Sequence, residues 1–376
     1  MRKNLFVRSI AAVSGIVMLA SLAACGDNTS SAGNNSGSTS TEKITGSFSG
    51  AGATSQQAAE EAWISAYMAA NSGANVTYNP TGSGAGVTTF LSGATAWAGS
   101  DKALSDDEVT QSSDKACANG TTAFDVPVYI SPIAIIFNLK GVSDAGKHIN
   151  LDADTAAKIF DGKIVKWNDP AIANQNKDLT LPDTQITVVH RSDKSGTTQN
   201  FVSYFKDQAP DSWTHELSEN WPDIPGQQSA KGTSGVVTAV KQADGTIGYA
   251  DFSQVGDLGT AAIKVGENYN EISADAGSKV IEDSEIDTSV KGDNRVVVKI
   301  NHATEAKGAY PIVLVSYDIA CPAYKDASTA KFVKSWLTYV TSDEGQKTAS
   351  SAAGSAPLPS NIVKKVTKSI EAIKPK

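Results

Sequence analysis

The chain has 376 residues, more than one hydrophobic core usually organises, so two domains of ordinary size are expected. Hydrophobic residues make up 40% of it and charged residues 19%, the balance of a folded globular protein rather than a disordered one. The formal net charge is −8 at pH 7, and no basic stripe runs along the sequence, so a nucleic-acid partner is disfavoured.

The amino terminus is set apart from the rest. MRKNLFVRS places Arg2, Lys3 and Arg8 ahead of the apolar run IAAVSGIVMLASLAA, a charged segment followed by a hydrophobic one too short for a comfortable membrane span. Residues 1–24 therefore read as an export signal. The segment ends Leu22-Ala23-Ala24-Cys25-Gly26, small residues directly before a cysteine, which resembles the cleavage box of bacterial lipoproteins. That resemblance implies cleavage before Cys25 and acylation of its sulfur and amino group; the plain alternative is an ordinary signal peptide with a cysteine near its cleavage site. One acyl chain binds a bilayer only marginally, so an anchored protein needs more than one. Residues 25–43, rich in Gly, Ser, Asn and Thr, cannot build a packed core and read as a flexible tether. Loss of the leader with its three positive charges takes the formal net charge from −8 to −11.

From Ile44 onward short apolar runs alternate with helical patterns, which predicts an α/β fold. Residues 126–139, 186–190, 247–252 and 311–317 read as buried strands. Residues 55–71 place Ala59, Ala62, Trp63, Ala66 and Tyr67 on one helical face, TAAKIFDGK ends at a helix-stopping Gly162, and residues 328–346 carry a stripe of Phe332, Trp336, Leu337 and Val340. No repeat is visible, and no polar linker interrupts the chain after Ile44. Two domains without a linker imply a path that leaves the first, builds the second and returns. Cys117 and Cys321 are left as two thiols in an oxidising compartment. They can form a disulfide or stay as buried free thiols, and sequence does not decide.

Three clusters of small and hydroxyl residues stand at predicted helix starts: SGAGATSQ (49–56), TGSGAG (81–86) and RSDKSGTTQ (191–199). The first N–H groups of a helix lack intrahelical partners and lie at the positive end of its dipole, so each cluster is either a helix cap or an anion site. Three in one chain, one of them beginning with Arg191, favour an anion. None matches a dinucleotide or P-loop pattern, so the anion should be small. Asp101, within GSDKALSDDE (99–108), is on its own a turn or capping aspartate.

Taken together, GAGAT, TGSGAG, GSDKALSD, KIVKWNDPAI, RSDKSGTTQNF and IGYADF follow the order and spacing of the periplasmic phosphate-binding proteins that serve the high-affinity phosphate ABC transporter, from about residue 46 to SAPLPSNIV at 355–363. The resemblance implies a type II periplasmic-binding-protein fold: one α/β lobe from residues 44–127 and 308–376, a second from 128–307, and phosphate in the cleft between them. It carries ligand contacts onto Thr54, Ser55 through its N–H, Ser83 and Asp101 from the first lobe, and onto Arg191, Ser195, Gly196 and Thr197 from the second. It implies no cofactor, no metal and no catalytic residue. The partners would be hydrogen phosphate and a permease with its ATPase, and the protein would be a monomer outside the cytoplasm, held on the cell membrane by its lipid. The chain departs from the family at Ser55-Gln56, where Phe-Pro is common, and at Pro80-Thr81, where an apolar residue often precedes the glycine.

These residues suit such a ligand. A desolvated oxyanion needs donors for its lone pairs, and Arg191 offers a forked pair that a lysine does not. A carboxylate at Asp101 repels a bare anion but accepts the proton of hydrogen phosphate, a proton that sulfate lacks at neutral pH. The competing readings are a secreted phosphatase or serine acyltransferase, or a surface adhesin on the same fold. SSDK (112–115) and STAK (328–331) fit S-x-x-K but lack a K-T-G companion, and His148, His190, His215 and His302 show no metal-ligand spacing.

Overall fold

A fifteen-residue strand, β4 (Phe124–Asn138), organises the molecule. The computed structural model describes residues 43–143 and 146–374; the expected leader, Cys25 and all but the last residue of the tether lie outside them. Before β4 the chain forms β1 (Thr45–Gly52), α1 (Gln57–Ala70), β2 (Gly73–Asn79), α2 (Ser83–Leu91), β3 (Trp97–Ser100) and α3 (Asp106–Lys115). After it come β5 (Ile149–Leu151), α4 (Ala153–Phe160), α5 (Pro170–Ala173), β6 (Thr187–Arg191), α6 (Gly196–Gln208), β7 (Gln228–Ala230), α7 (Gly232–Gln242) and β8 (Thr246–Asp251). The remainder is β9 (Gly259–Val265), β10 (Asn268–Asn270), α8 (Ala274–Glu282), β11 (Glu285–Ile286), β12 (Val298–Lys299), β13 (Val313–Ala320), α9 (Ala327–Val340), α10 (Asp343–Ala353) and α11 (Ser360–Glu371).

The strands run in the order β2-β1-β3-β13-β4-β8-β6-β7, with β9 also against β4 and flanked by β5 and β10. β1 is parallel to β2 and β3, and β8, β6 and β7 are mutually parallel. β4 belongs to both halves. Its residues up to Pro132 pair antiparallel with β13, and those from Ile133 pair antiparallel with β8. Fourteen of its fifteen residues are buried, which explains why this stretch reads as a continuous apolar run rather than an alternating one.

Helices cover the sheet faces. Phe48 of β1 stacks on Phe332 of α9 with centroids 4.0 Å apart, and Trp336 packs on Trp97 at 5.3 Å. Each large apolar side chain buried in this way contributes roughly 1.5–3 kcal/mol. Phe201, Tyr204 and Phe205 are buried in α6, and Phe201 stacks on Tyr249 of β8 at 4.4 Å. This fixes the start of α6 against the second half of the sheet. The stripe of Phe332, Trp336, Leu337 and Val340 lies wholly in α9, and the helical pattern read over 328–346 breaks after it, because Ser342 accepts the Gly345 N–H and begins α10. Cys117 and Cys321 form a disulfide with Cα atoms 5.3 Å apart, tying the end of α3 to the residue after β13.

Candidate functional site

The loop after β1, the starts of α2 and α6, and β13 converge on Asp101 in the loop after β3, a residue 2% exposed. Ser55 Oγ donates to Asp101 Oδ1 at 2.6 Å, Thr197 Oγ1 to Oδ2 at 2.6 Å, and Ser316 Oγ to Oδ1 at 2.6 Å. The backbone N–H of Asp101 donates to Ser83 Oγ at 3.2 Å, and its carbonyl accepts Asn200 Nδ2 at 2.6 Å. Ser55 and Ser83, from two loops of the first half of the sheet, are thereby joined to Thr197 and Asn200 of α6.

Close backbone approach dictates the glycines here. A Cβ on Gly196 would lie 2.8–2.9 Å from Asp101 backbone and side-chain carbons, and one on Gly86 would lie 2.3 Å from the Cα of Gly52. Gly82, at φ 98°, leaves room for Asp193 Oδ2. The loop carrying Asp101 is braced from behind by Asp125, which accepts Arg295 Nε at 2.8 Å, Arg295 Nη2 at 2.9 Å and the Leu104 N–H at 2.7 Å.

Arg191, at the end of β6, is 3% exposed and forked onto Asp193, with Nε–Oδ1 at 2.8 Å and Nη2–Oδ2 at 2.6 Å. Asp193 also accepts the Gly232 N–H at 2.9 Å. Burial opposes ionisation of Asp193, but the Arg191 guanidinium and the N–H groups outweigh it and hold the carboxyl below its ordinary range. The guanidinium keeps Nη1 outside this pair, and Gly82, next to Ser83, lies beside Nη2. Ser195 caps α6, accepting the Thr198 N–H at 3.2 Å, and its own N–H donates to the Glu219 carbonyl. Thr54 Oγ1 lies 2.9 Å from Thr233 Oγ1 and accepts the Thr233 N–H at 3.1 Å, while Gln254 Nε2 donates to the Thr54 carbonyl at 2.8 Å.

The eight expected site residues thus fall into linked groups: Ser55, Ser83, Gly196 and Thr197 on Asp101, Thr54 on Thr233, and Arg191 on Asp193, with Ser195 at the head of the same helix as Gly196 and Thr197. Beside them Glu219 Oε2 lies 3.4 Å from Lys102 Nζ and 3.3 Å from Lys194 Nζ. These two cations flank Asp101 and Ser195 in sequence, so one carboxylate spans loops from both halves of the sheet.

Sequence reasoning missed Thr233, Asp193, Ser316, Asn200 and Gln254. KGTSG ahead of α7 repeats the pattern of small and hydroxyl residues before a helix and could have revealed Thr233. Ser316 had no local signal, being one hydroxyl within an apolar run. Beneath the site, Glu60 and Asp318 are fully buried. Burial, reinforced by the charge of Asp318, pushes the Glu60 carboxyl well up, and burial pushes Asp318 to about 8.

The residues behind the enzymatic alternatives have structural partners. Ser112 Oγ donates to the Val109 carbonyl and accepts the Ala123 N–H, Ser328 Oγ donates to Asp326, and His190 Nδ1 lies 2.9 Å from the Arg191 carbonyl.

Comparison with known proteins places this geometry in context. A family profile described as the PBP superfamily domain matches residues 37–344. The chain is 36% identical over 381 aligned positions to phosphate-binding protein PstS2 of Mycobacterium bovis BCG, covering 98% of this chain and 99% of that one. It is 33% identical over 361 positions to phosphate-binding protein PstS 3 of Mycobacterium tuberculosis, covering 94% and 95%. In fold it resembles PfluDING, a high-affinity periplasmic phosphate-binding protein solved with bound phosphate, with a TM-score of 0.69 and 23% identity over 86% of this chain and 93% of that one.

Proposed function

The chain belongs to the PstS family of phosphate-binding proteins, and from that premise we propose that it captures hydrogen phosphate where these loops meet and delivers it to the permease of an ABC transporter. The observation that carries the reading is the Asp101 carboxylate, buried among hydroxyl donors and helix starts on the same wall as a forked arginine. A site of donors alone would accept any oxyanion. One with a fixed acceptor accepts an oxyanion that brings a proton.

In this reading Thr54, Ser83 and Ser195 offer hydroxyls, Ser55, Gly196 and Thr197 offer backbone N–H groups, and Arg191 offers the charge. Hydrogen bonds to a charged partner are worth roughly 1.5–3 kcal/mol each, so a handful exceeds the roughly 8 kcal/mol of a micromolar complex before the losses of association. The acidic surface is no obstacle, because the attraction is local to the helix starts and the guanidinium. In this reading one lobe comprises residues 44–127 and 308–376 and the other 128–307, the chain crossing between them near Pro132, where β4 changes partner from β13 to β8. Lobe closure would be the signal read by the permease.

Outside the described residues, acylation of Cys25 with the tether to residue 43 would hold the monomer on the outer face of the cell membrane. No helix among the described residues is long and apolar enough to cross it. Calorimetric titration of purified protein, stripped of copurifying ligand, with phosphate and sulfate side by side tests the reading. Tight phosphate binding with rejection of sulfate is expected. Equal affinity for both, or steady release of phosphate from an ester, would overturn it.

A further inference from the structure

Two residues outside the expected ligand set, Ser316 and Gln56, converge on the acceptor of the site. Both are fully buried. Gln56 Nε2 donates to Ser316 Oγ at 2.7 Å and to the Tyr317 carbonyl at 3.3 Å, and Ser316 Oγ donates to Asp101 Oδ1 at 2.6 Å. A backbone carbonyl can only accept, so the contact with Tyr317 fixes which end of the Gln56 amide faces Ser316. Since Ser316 Oγ receives a proton from Gln56, its own proton goes to Asp101. The direction of the whole relay follows: amide to hydroxyl to carboxylate.

We propose that Gln56 and Ser316 are positioning residues that hold Asp101 as an obligatory proton acceptor and thereby set the preference for a protonated oxyanion; this rests on the phosphate reading above. A carboxylate has about four acceptor positions. Ser316 and Ser55 fill those of Oδ1, and Thr197 takes one on Oδ2. If Asp101 carried its proton on Oδ1, the hydroxyl protons of Ser55 and Ser316 would lose their acceptor in a site that water does not reach. The remaining position, on Oδ2, is open to a donor from the ligand, which hydrogen phosphate has and sulfate lacks.

Two local irregularities mark the relay as built. β13 shifts register against β4 between Ser316 and Tyr317, a bulge of the kind that re-aims a side chain. Gln56 Oε1 is buried without a hydrogen-bond partner, against Gly99, where a Cβ would come within 2.4 Å of it. An orphaned buried acceptor is destabilising, and holding Nε2 on Ser316 accounts for its retention.

The test is competitive titration of the full mature chain with phosphate and sulfate for the wild type, Ser316→Ala, Ser316→Thr and Gln56→Met, with thermal melts confirming that each is folded. Ser316→Ala is expected to narrow the phosphate-over-sulfate affinity ratio at least tenfold, Gln56→Met to narrow it less, and Ser316→Thr to restore it. A purely structural role would weaken both anions by a common factor and leave the ratio unchanged in Ser316→Ala and Gln56→Met, and that result would overturn the inference. A wild type that fails to prefer phosphate would instead overturn the phosphate reading itself.

Discussion

Thr197 and Asp101, 96 positions apart, are joined by a hydrogen bond of 2.6 Å from hydroxyl to carboxylate. It links the head of α6 to the loop after β3. If that acceptor enforces selectivity, Asp101→Asn should raise sulfate affinity relative to phosphate at least tenfold, because an amide can donate where the carboxylate only accepts. Side-by-side calorimetry reads the ratio, and a variant that rejects sulfate as strictly as the wild type would remove Asp101 from the selectivity role.

The fork between Arg191 and Asp193 predicts an asymmetry. Arg191→Ala should lower phosphate affinity at least tenfold, and Arg191→Lys should not recover it, since an ammonium cannot serve Asp193 and an oxyanion in one plane. Asp193→Asn keeps the charge of Arg191 and loosens its orientation, so a smaller loss is expected. Near-wild-type binding by Arg191→Ala would contradict the assignment.

Glu219, shared by Lys102 and Lys194, should act on the lifetime of the closed form. Glu219→Gln is expected to speed phosphate release several-fold in stopped-flow traces at low ionic strength, with a smaller difference in high salt as screening shortens the reach of the charges. Equal release rates at both salt concentrations would exclude an ionic latch.

Asp318 gives stability a pH dependence of defined sign. Burial raises its folded-state value to about 8 from the ordinary 3.8, so between these the folded chain keeps a proton that the unfolded chain has lost. Stability therefore falls as pH rises through this window, by about 1.4 kcal/mol per pH unit for one such proton, and Glu60, also raised, acts in the same direction. Chemical denaturation across this range should show a flatter slope for Asp318→Asn than for the wild type. Parallel slopes would mean that Asp318 is ionised in the folded protein.

The disulfide closes 204 residues. Its removal by Cys117→Ser with Cys321→Ser should lower stability by about 2–5 kcal/mol while leaving phosphate affinity in the folded protein within a factor of a few, because the bridge ties the end of α3 to the residue after β13 and carries none of the hydrogen bonds around Asp101, Arg191 or Thr54. An unchanged melting temperature would show that the packing around the bridge carries the constraint alone.

Much of the architecture was legible because it rests on local pattern. The apolar run of β4, the aromatic stripe of α9 and the small residues at the starts of α2 and α6 each name their element. Helix boundaries were less so: α2 begins at Ser83 and α6 at Gly196, inside the clusters expected to precede them, since residues with the permissive backbone of a cap also fit the first helical turn. What stayed hidden depends on tertiary context. Glu60 and Asp318 are acidic residues in the core, where burial pushes both carboxyls above their ordinary range, and no periodicity signals that. Ser316 reaches Asp101 through a register shift that depends on the partner strand. Asp193 sits two residues after Arg191 in plain view, yet its role is visible only once Gly82 and Gly232 close around it.

The passage of β4 from one half of the sheet to the other bears on the energetics of a binding cycle. Pro132, at the crossing, has no N–H to give to either neighbour, while Ile133 N–H bonds the Ile312 carbonyl and Tyr310 Oη donates to the Ile133 carbonyl at 3.0 Å. If the two-lobe reading holds, a rotation between the lobes would fall on this crossing of β4, where the ladder changes partner from β13 to β8. In the proposed two-lobe reading, opening would break Thr197–Asp101 and Thr233–Thr54, bonds that an incoming oxyanion can exchange for its own, while Arg295 on Asp125 stays as the brace behind them.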